Sequence, residues 1–436
     1  SHGDHETHAK VIATARKAAK KSKYPLAILQ DLSGPKIRIG DFETETVTLH
    51  SEQSIVLTTD KCVGTVDRVH VNYKKFPDEV KSGMDIFLND GKLHLRVLKV
   101  VGRDVQAEIL VGGTIRGRRG VNIPDADLSI SSITAKDKKD LKFGIDQDVD
   151  FMTLSFVRTA DDIRQLRKLI LKEKKDAKVA IVAKIETKQA IENLDEIVDE
   201  SDAIMVARGD LAIEVPLERV PLLQKRIIRT ANRAGKPVIT ATQMLDSMRT
   251  STTPTRAEVT DIASAILDGT HALMLSDETA VGDHPDKPIN IMRRVAYEVE
   301  NDEYYLEQYK SWDFPPETVC DAVSRSIVYS RKSSKAKAIV ALSESGQTPR
   351  MITRYRPHAP LLVLTPHRHT YQQMLLVYGC QPIMVKKVKN LVGATKLARK
   401  HLKDRDLAQE GDKFILGAGI PFGKSGTTNT MVIEEV

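Results

Sequence analysis

Six short apolar runs constrain this chain more than any other feature. They are PLAILQD (25–31), DFMTLSF (150–156), VAIVAKIE (179–186), AIMVARGD (203–210), PVITATQ (237–243) and ALMLSDE (272–278). Runs this apolar read as strands buried on both faces, as in a parallel sheet. Between the last five lie stretches of helical periodicity, such as DDIRQLRKLILKEKK (161–175) and LLQKRIIRTANRAG (222–235). Strand and helix in alternation predict a parallel sheet covered by helices. Each run also ends in polar chemistry on its C-terminal side: Asp31, Ser155, Lys184 with Glu186, Asp210, Thr242 with Gln243, Ser276 with Glu278. A doubly wound sheet concentrates chemistry at one switch point, whereas a (β/α)8 barrel gathers it from many strand ends. Polar ends on all six runs predict the barrel. Eight strands close such a barrel, and the chain opens on SHGDHETH directly before a helix. The expectation is therefore a truncated chain whose first two strands are missing.

Residues 36–124 break the rhythm with short alternating segments, ETETVTLH (43–50), RVHVNY (68–73) and DIFLNDGKLHLRVLKV (85–100). Asn89, Asp90 and Gly91 mark a hairpin turn. This reads as a small β domain inserted between barrel strands, hinged at SGP (33–35) and NIPD (122–125). After residue 300 a third, α/β domain is predicted. Its helices fall at 316–331, from Pro349, and near 390–403, and its strands at 336–343, 360–365, 382–385 and 413–417. The expected division is 1–34 and 126–300 for the barrel, 35–125 for the lid and 301–436 for the C-terminal domain.

The chain of 436 residues carries a net charge of +7, with 41% hydrophobic and 29% charged residues. That is ordinary for a globular protein. The basic stretch RKAAKKSK (16–23) sits at the end of a helical pattern, where cations suit the helix dipole. Aromatic residues are 5% and do not interleave with the basic runs, so nucleic-acid binding is not expected. No membrane partner is expected either, since no apolar run is long enough to span one. Three scattered cysteines fit a reducing, cytoplasmic setting.

Glu186 and Asp210 close consecutive strands, so their carboxylates can converge on a hard divalent ion. The alternative is a structural ion pair between Glu186 and Lys184. Lys184 itself suits stabilisation of a developing negative charge, with a Schiff-base lysine or an orienting salt bridge as competing roles. In ARGDLAIEVP (207–216), Gly209 gives a flexible turn, Asp210 caps the next one, and free backbone N–H groups suit a carboxylate or phosphate. DLSGPKIR (31–38) crowds Asp31, Ser33, Lys36 and Arg38 around a Gly-Pro turn. Arg38 suits bidentate phosphate contact, or these are solvated hinge charges. SESGQTPR (343–350) follows a strand and opens a helix, with Thr348 as N-cap and Pro349 first in the helix. With Ser343, Ser345 and Gly346 it offers an anion site, faced by GKSGTTN (423–429), or ordinary capping.

Taken together, SHGDHE (1–6), DLSGPKIR, GVNIP (120–124), SFVR (155–158), AKIE (183–186), MVARGDL (205–211), ATQMLDSM (241–248), PTRAEVTDIA (254–263), LDGTHALMLSDETAVGDHP (267–285) and SGQTPR (345–350) resemble pyruvate kinases in order and spacing. The resemblance spans nearly the whole chain. It implies phosphoryl transfer from phosphoenolpyruvate to ADP, a homotetramer, and Mg²⁺ or Mn²⁺ on Glu186 and Asp210. Lys184 would steady the phosphoryl group and enolate oxygen, and Arg38 would grip the phosphate. Gly209 and Asp210 would hold the carboxylate, and Thr242 would sit near the carbon that is protonated. Arg119 and His2 would serve the nucleotide. Ser343, Ser345, Gly346 and Thr348 would hold a phosphorylated effector, a sugar phosphate or AMP.

The resemblance also places Ser1, Asp31 and the Leu32 carbonyl where many members bind K⁺. Lys36 stands where K⁺-requiring members have glutamate, and its ammonium would replace the ion. An arginine and an asparagine of the family's site precede Ser1, so the chain as it stands is expected to be inactive on its own. Asp277, Ala212 and Asp125 occupy positions where the family usually has glycine. Two other readings of the same residues are a Mg²⁺-dependent pyruvate or oxaloacetate lyase or aldolase, and a non-enzymatic sugar-phosphate or nucleotide sensor.

Overall fold

The structure is a computed structural model that describes residues 3–310, 314–424 and 426–436. Six strands form its central sheet: β1 (Leu29–Leu32), β2 (Phe151–Leu154), β3 (Ala180–Ile185), β4 (Ala203–Ala207), β5 (Val238–Ala241) and β6 (Ala272–Leu273). They pair in parallel and strictly in chain order. A doubly wound sheet would reverse its order at a switch point, so this curling, one-way order is that of a (β/α)8-type barrel. The reason lies in composition: every residue of β2, β4 and β5 is buried, helices outside and barrel interior inside. Returning helices begin at side-chain caps. Thr134 with Asp137, and Thr255 with Glu258, each form a reciprocal capping box, which sets where the chain turns back.

The lid occupies the expected insertion. Its strands run from Thr46–Leu49 to Val121–Asn122 and form a six-stranded and a two-stranded sheet around their own core, including Ile55, Leu57, Phe76, Leu88 and Leu95. The predicted hairpin is present: Leu88 pairs with Leu93, and in the four-residue loop between them Asn89, Asp90 and Gly91 take φ of 52°, 58° and 81°. The lid joins the barrel through two antiparallel segments side by side. Ile39 N–H donates to the Arg119 carbonyl at 3.0 Å and Val121 N–H to the Ile37 carbonyl at 2.9 Å.

The C-terminal domain is a five-stranded sheet of β7 (Ala338–Leu342), β8 (Leu361–Thr365), β9 (Cys380–Met384), β10 (Lys413–Gly419) and β11 (Thr428–Glu435), in the order β9-β8-β7-β10-β11. Antiparallel β11 was not expected; its TNTMVIEE mixes polar residues into an exposed edge. Two helix starts differ from expectation. The helix expected at 316–331 is Val319–Ser334, because the Thr318 side chain caps it. The helix expected from Pro349 is Gln347–Thr353, with Gly346 at φ 79° as its N-cap in place of Thr348. The Thr348 hydroxyl instead meets that of Thr428 at 2.6 Å, across to β11.

Candidate functional site

The site is built on the C-terminal ends of the barrel strands. Lys184, the fifth residue of β3, has a side chain 15% exposed and reaches toward three strand ends at once. Its Nζ lies 2.8 Å from Glu186 Oε1, 3.5 Å from Asp31 Oδ1, and donates to Ser155 Oγ at 2.9 Å. Burial pulls the ammonium's pKa down, but Glu186 and Asp31 outweigh it, so the group is held above the usual lysine range and stays charged.

Glu186 is fully buried. Burial pushes its pKa up to about 7, against the pull of Lys184 and with the repulsion of Asp210. One oxygen, Oε2, accepts the Phe156 N–H at 2.8 Å. The other forms an ion pair with the Lys184 ammonium at 2.8 Å. Asp210 is also raised, first by burial, with Lys184 and Lys36 pulling it down. The two carboxylates thus share one strained electrostatic environment. No group of three or more His, Cys, Asp or Glu able to hold a metal occurs among the described residues. Two hard oxygen donors from adjacent strand ends fit a cation such as Mg²⁺ that takes its remaining ligands from substrate and water.

Asp31 accepts the Thr153 hydroxyl, and the Leu32 carbonyl accepts the Ser155 hydroxyl at 2.8 Å. Gly209 N–H donates to Thr242 Oγ1 at 2.9 Å, so the amide expected to meet a substrate is held by the neighbouring strand end. Thr242 and Gln243 sit at φ 70° and 53°, strained for a β-branched residue and its neighbour. The expectation that Asp210 caps a turn is corrected: the cap position of the helix Arg208–Glu214 is Ala207, and Asp210 lies in its first turn.

Above these residues, a cleft of about 230 Å³ opens between barrel and lid, lined by Lys36, Arg38, Arg119, Arg158, Asp210 and Glu214 among others. Arg38 and Arg119 sit at the root of the lid, not its tip, and Arg38 Nη1 donates to the Arg118 carbonyl at 3.0 Å. Ser1 and His2 lie outside the described residues. In the C-terminal domain the two predicted loops do face each other: Ser343, Ser345, Thr348, Lys424 and Thr427 line one small pocket. Ser343 Oγ accepts the Gly346 N–H at 2.9 Å, while Thr348 is buried with its hydroxyl engaged.

Sequence reasoning placed Ser155 among the polar strand ends without a role, and assigned none to Glu214 or Arg208. Ser155 orients Lys184. Glu214 is raised to about 7 by burial, with Asn122 holding it at 3.1 Å. Arg208 binds the Ala241 and Thr242 carbonyls at 3.1 and 2.7 Å and Asp261 at 2.6 Å. The signal for Arg208 was its place beside Gly209 in a strand-end motif. The residues at usual glycine positions are accommodated: Asp125 pairs with Lys188 at 2.8 Å, Asp277 opens a short helix beside Arg249, and Ala212 is helical.

Comparison with known proteins decides the family. Residues 1–289 match the model for the pyruvate kinase barrel domain, and 321–434 that for its alpha/beta domain. The chain belongs to the pyruvate kinase family. Over its full length it is 41% identical to pyruvate kinase of Thermotoga maritima, covering 92% of that protein. It is 40% identical to pyruvate kinase 2 of Synechocystis, covering 74%. A solved pyruvate kinase from Cryptosporidium parvum superposes with a TM-score of 0.92 at 33% identity, covering all of this chain and 89% of that one. Family membership makes the chain a glycolytic phosphotransferase acting on phosphoenolpyruvate and ADP, and sets aside the lyase, aldolase and sensor readings.

Proposed function

We propose that the Lys184 cluster is the phosphoryl-transfer centre. The observation that carries this is a single buried cation ringed by Asp31, Ser155 and Glu186, beneath a cleft bearing Arg38 and Arg119. In this reading Glu186 and Asp210 hold Mg²⁺ or Mn²⁺, which supplies neutralisation of substrate oxygens. Arg38 grips the transferring phosphate and Arg119, with His2, the nucleotide phosphates. Lys184 keeps its charge where the enolate oxygen is released as the ester O–P bond breaks and the new P–O bond to ADP forms. Its fixed position costs no reorganisation at that moment, the condition for electrostatic catalysis. Gly209 and Asp210 present backbone N–H groups to the carboxylate once Thr242 is displaced, and Thr242 stands beside the carbon that takes up the proton.

We assign Ser1, Asp31 and Leu32 to the monovalent-cation position and Lys36, close enough to Asp210 to pull its carboxyl down, to that ion's replacement. Ser343, Ser345, Gly346 and Thr348 form the effector-phosphate loop. The domain division at 34/35, 125/126 and 300/301, the homotetramer and the cytoplasmic setting belong to the same reading; no helix among the described residues is long and apolar enough to cross a membrane.

The test is a coupled assay of pyruvate formation from phosphoenolpyruvate, ADP and Mg²⁺ with the full-length protein. Glu186→Gln and Asp210→Asn should each abolish turnover. Near-normal activity of either at low Mg²⁺ would remove the metal assignment. Sugar-phosphate or AMP binding that survives Ser345→Ala combined with Thr348→Ala would remove the effector assignment.

A further inference from the structure

A second cavity, of about 410 Å³, lies between the floor of the barrel and the C-terminal domain, at the opposite end of the strands from Lys184. Its walls include Phe151 and Ala180, the first residues of β2 and β3, and Met374 and Val377 from the C-terminal domain. Its charged lining is uneven: Arg167, Lys178 and Arg350 against a single carboxylate, Asp202.

That carboxylate is already committed. Asp202 accepts from both Arg167 guanidinium nitrogens at 3.2 Å and from the Ile181 N–H at 2.8 Å. Arg350 projects from the helix Gln347–Thr353, and among the described residues its guanidinium makes no ion pair or hydrogen bond. Its Nη1 lies against Gly346, with Met374 close by. Burial holds the guanidinium below the usual arginine range, and Asp202 only partly offsets this. Lys236, whose ammonium donates to the Ser201 carbonyl at 2.6 Å, adds positive charge nearby. Ser345, His369 and Gln373 supply neutral polar groups around the same space.

A half-buried charge without a partner carries a desolvation cost that an anion would relieve. Guanidinium is the side chain whose fork matches phosphate oxygens two at a time. We propose that this cavity binds a phosphate-type dianion, with Arg350 as its central donor and Arg167 and Lys178 completing the charge balance. The excess of two positive charges among the lining residues equals the charge of that ligand. The volume exceeds a bare phosphate's needs, which points to a phosphate monoester, with inorganic phosphate sharing the same recognition chemistry. Gln373 donates across to the Lys178 carbonyl at 2.7 Å, and Arg368 pairs with Asp148 at 2.7 Å, so the ligand would sit in a seam the two domains already share. Ser345 lines both this cavity and the effector pocket, so the loop 343–347 separates two anion sites.

The proposal is independent of the catalytic assignment, and its test needs no activity. Inorganic phosphate, and separately glycerol phosphate, is titrated into the full chain by calorimetry at fixed ionic strength. Parallel titrations use Arg350→Gln, Arg38→Gln for the cleft and Thr427→Ala for the effector pocket. The expected result is one phosphate site weakened at least tenfold in Arg350→Gln alone, with Arg350→Lys intermediate and the monoester binding more tightly. Phosphate should also slow amide exchange in both 178–181 and 345–351 of the parent chain. Unchanged stoichiometry and affinity in Arg350→Gln, or loss of all phosphate sites with Arg38→Gln or Thr427→Ala, overturns it. If Arg350→Gln fails to fold, Lys178→Ala decides, since that side chain is largely exposed: it must weaken the same site severalfold, and parent-like binding overturns the proposal.

Discussion

Replacing Arg208 by methionine tests how the substrate-facing loop is held. The Arg208 side chain is 14% exposed and Asp261 34%, so the ion pair is partly solvated and contributes roughly 1 kcal/mol. The two bonds to the Ala241 and Thr242 carbonyls come from a charged donor and contribute about 1.5 kcal/mol each. They clamp the strand end at the point where Thr242 and Gln243 take positive φ, a strain of ~1–3 kcal/mol that relaxes once the clamp is gone. The net loss is about 1–3 kcal/mol, confined to the loop. Local opening should therefore become ~10- to 10²-fold more frequent. The bond between Gly209 N–H and Thr242 Oγ1 should go with it. Amide exchange by mass spectrometry should show faster exchange in the segments 205–211 and 240–246, with the lid unchanged. Turnover of the full-length protein should fall by a similar factor, and Arg208→Lys should fall between, since an ammonium cannot span both carbonyls. Exchange and turnover both within threefold of the parent would refute the reasoning.

Three further outcomes are expected. Lys184→Met should lower kcat by ~10²–10³ with little change in KM, because its charge matters most as negative charge develops; a pure KM effect would reassign it to ground-state binding. Lys36→Glu should create a K⁺ requirement, read as turnover with tetramethylammonium holding ionic strength; strong K⁺ activation of the parent would show that Lys36 replaces nothing. Burial and the hydrogen bond to Glu79 push the Tyr73 phenol up to about 12 from 10.0. The folded lid therefore favours the protonated phenol, so its contribution is intact below pH 10 and lost as pH rises through about 12. The urea midpoint of the lid should fall across that window, and Tyr73→Phe should remove the slope.

The barrel was legible because its signal is periodic and local. Runs such as AIMVA can bury both faces, and the polar residue that follows each can only emerge at a strand end. Lys184 and Glu186 were legible for the same reason, being two apart at the end of one strand. Arg208 was not, since its partners are carbonyls exposed by a left-handed turn on the next strand, which no local pattern encodes. The start of the helix at Gly346 was misjudged because Thr348 looks like a cap until β11, far along the chain, takes its hydroxyl. That strand was itself hidden, since an exposed antiparallel edge alternates too weakly to stand out. The uncommitted Arg350 is likewise invisible in sequence, because pairing is a property of the assembled domains.

The lid's attachment has a mechanical consequence. Two segments hydrogen-bonded side by side make a flat strap that bends about one axis and resists twisting. Arg38 and Arg119 lie on that strap, close to its pivot. Points beside a fulcrum travel least, so a swing of the lid would carry its far edge through a wide arc while both guanidinium groups barely leave the strand ends. Opening about this strap would thus leave the cationic rim in place, and changes in the lid's far sheet should alter how fast the cleft opens more than how well it grips.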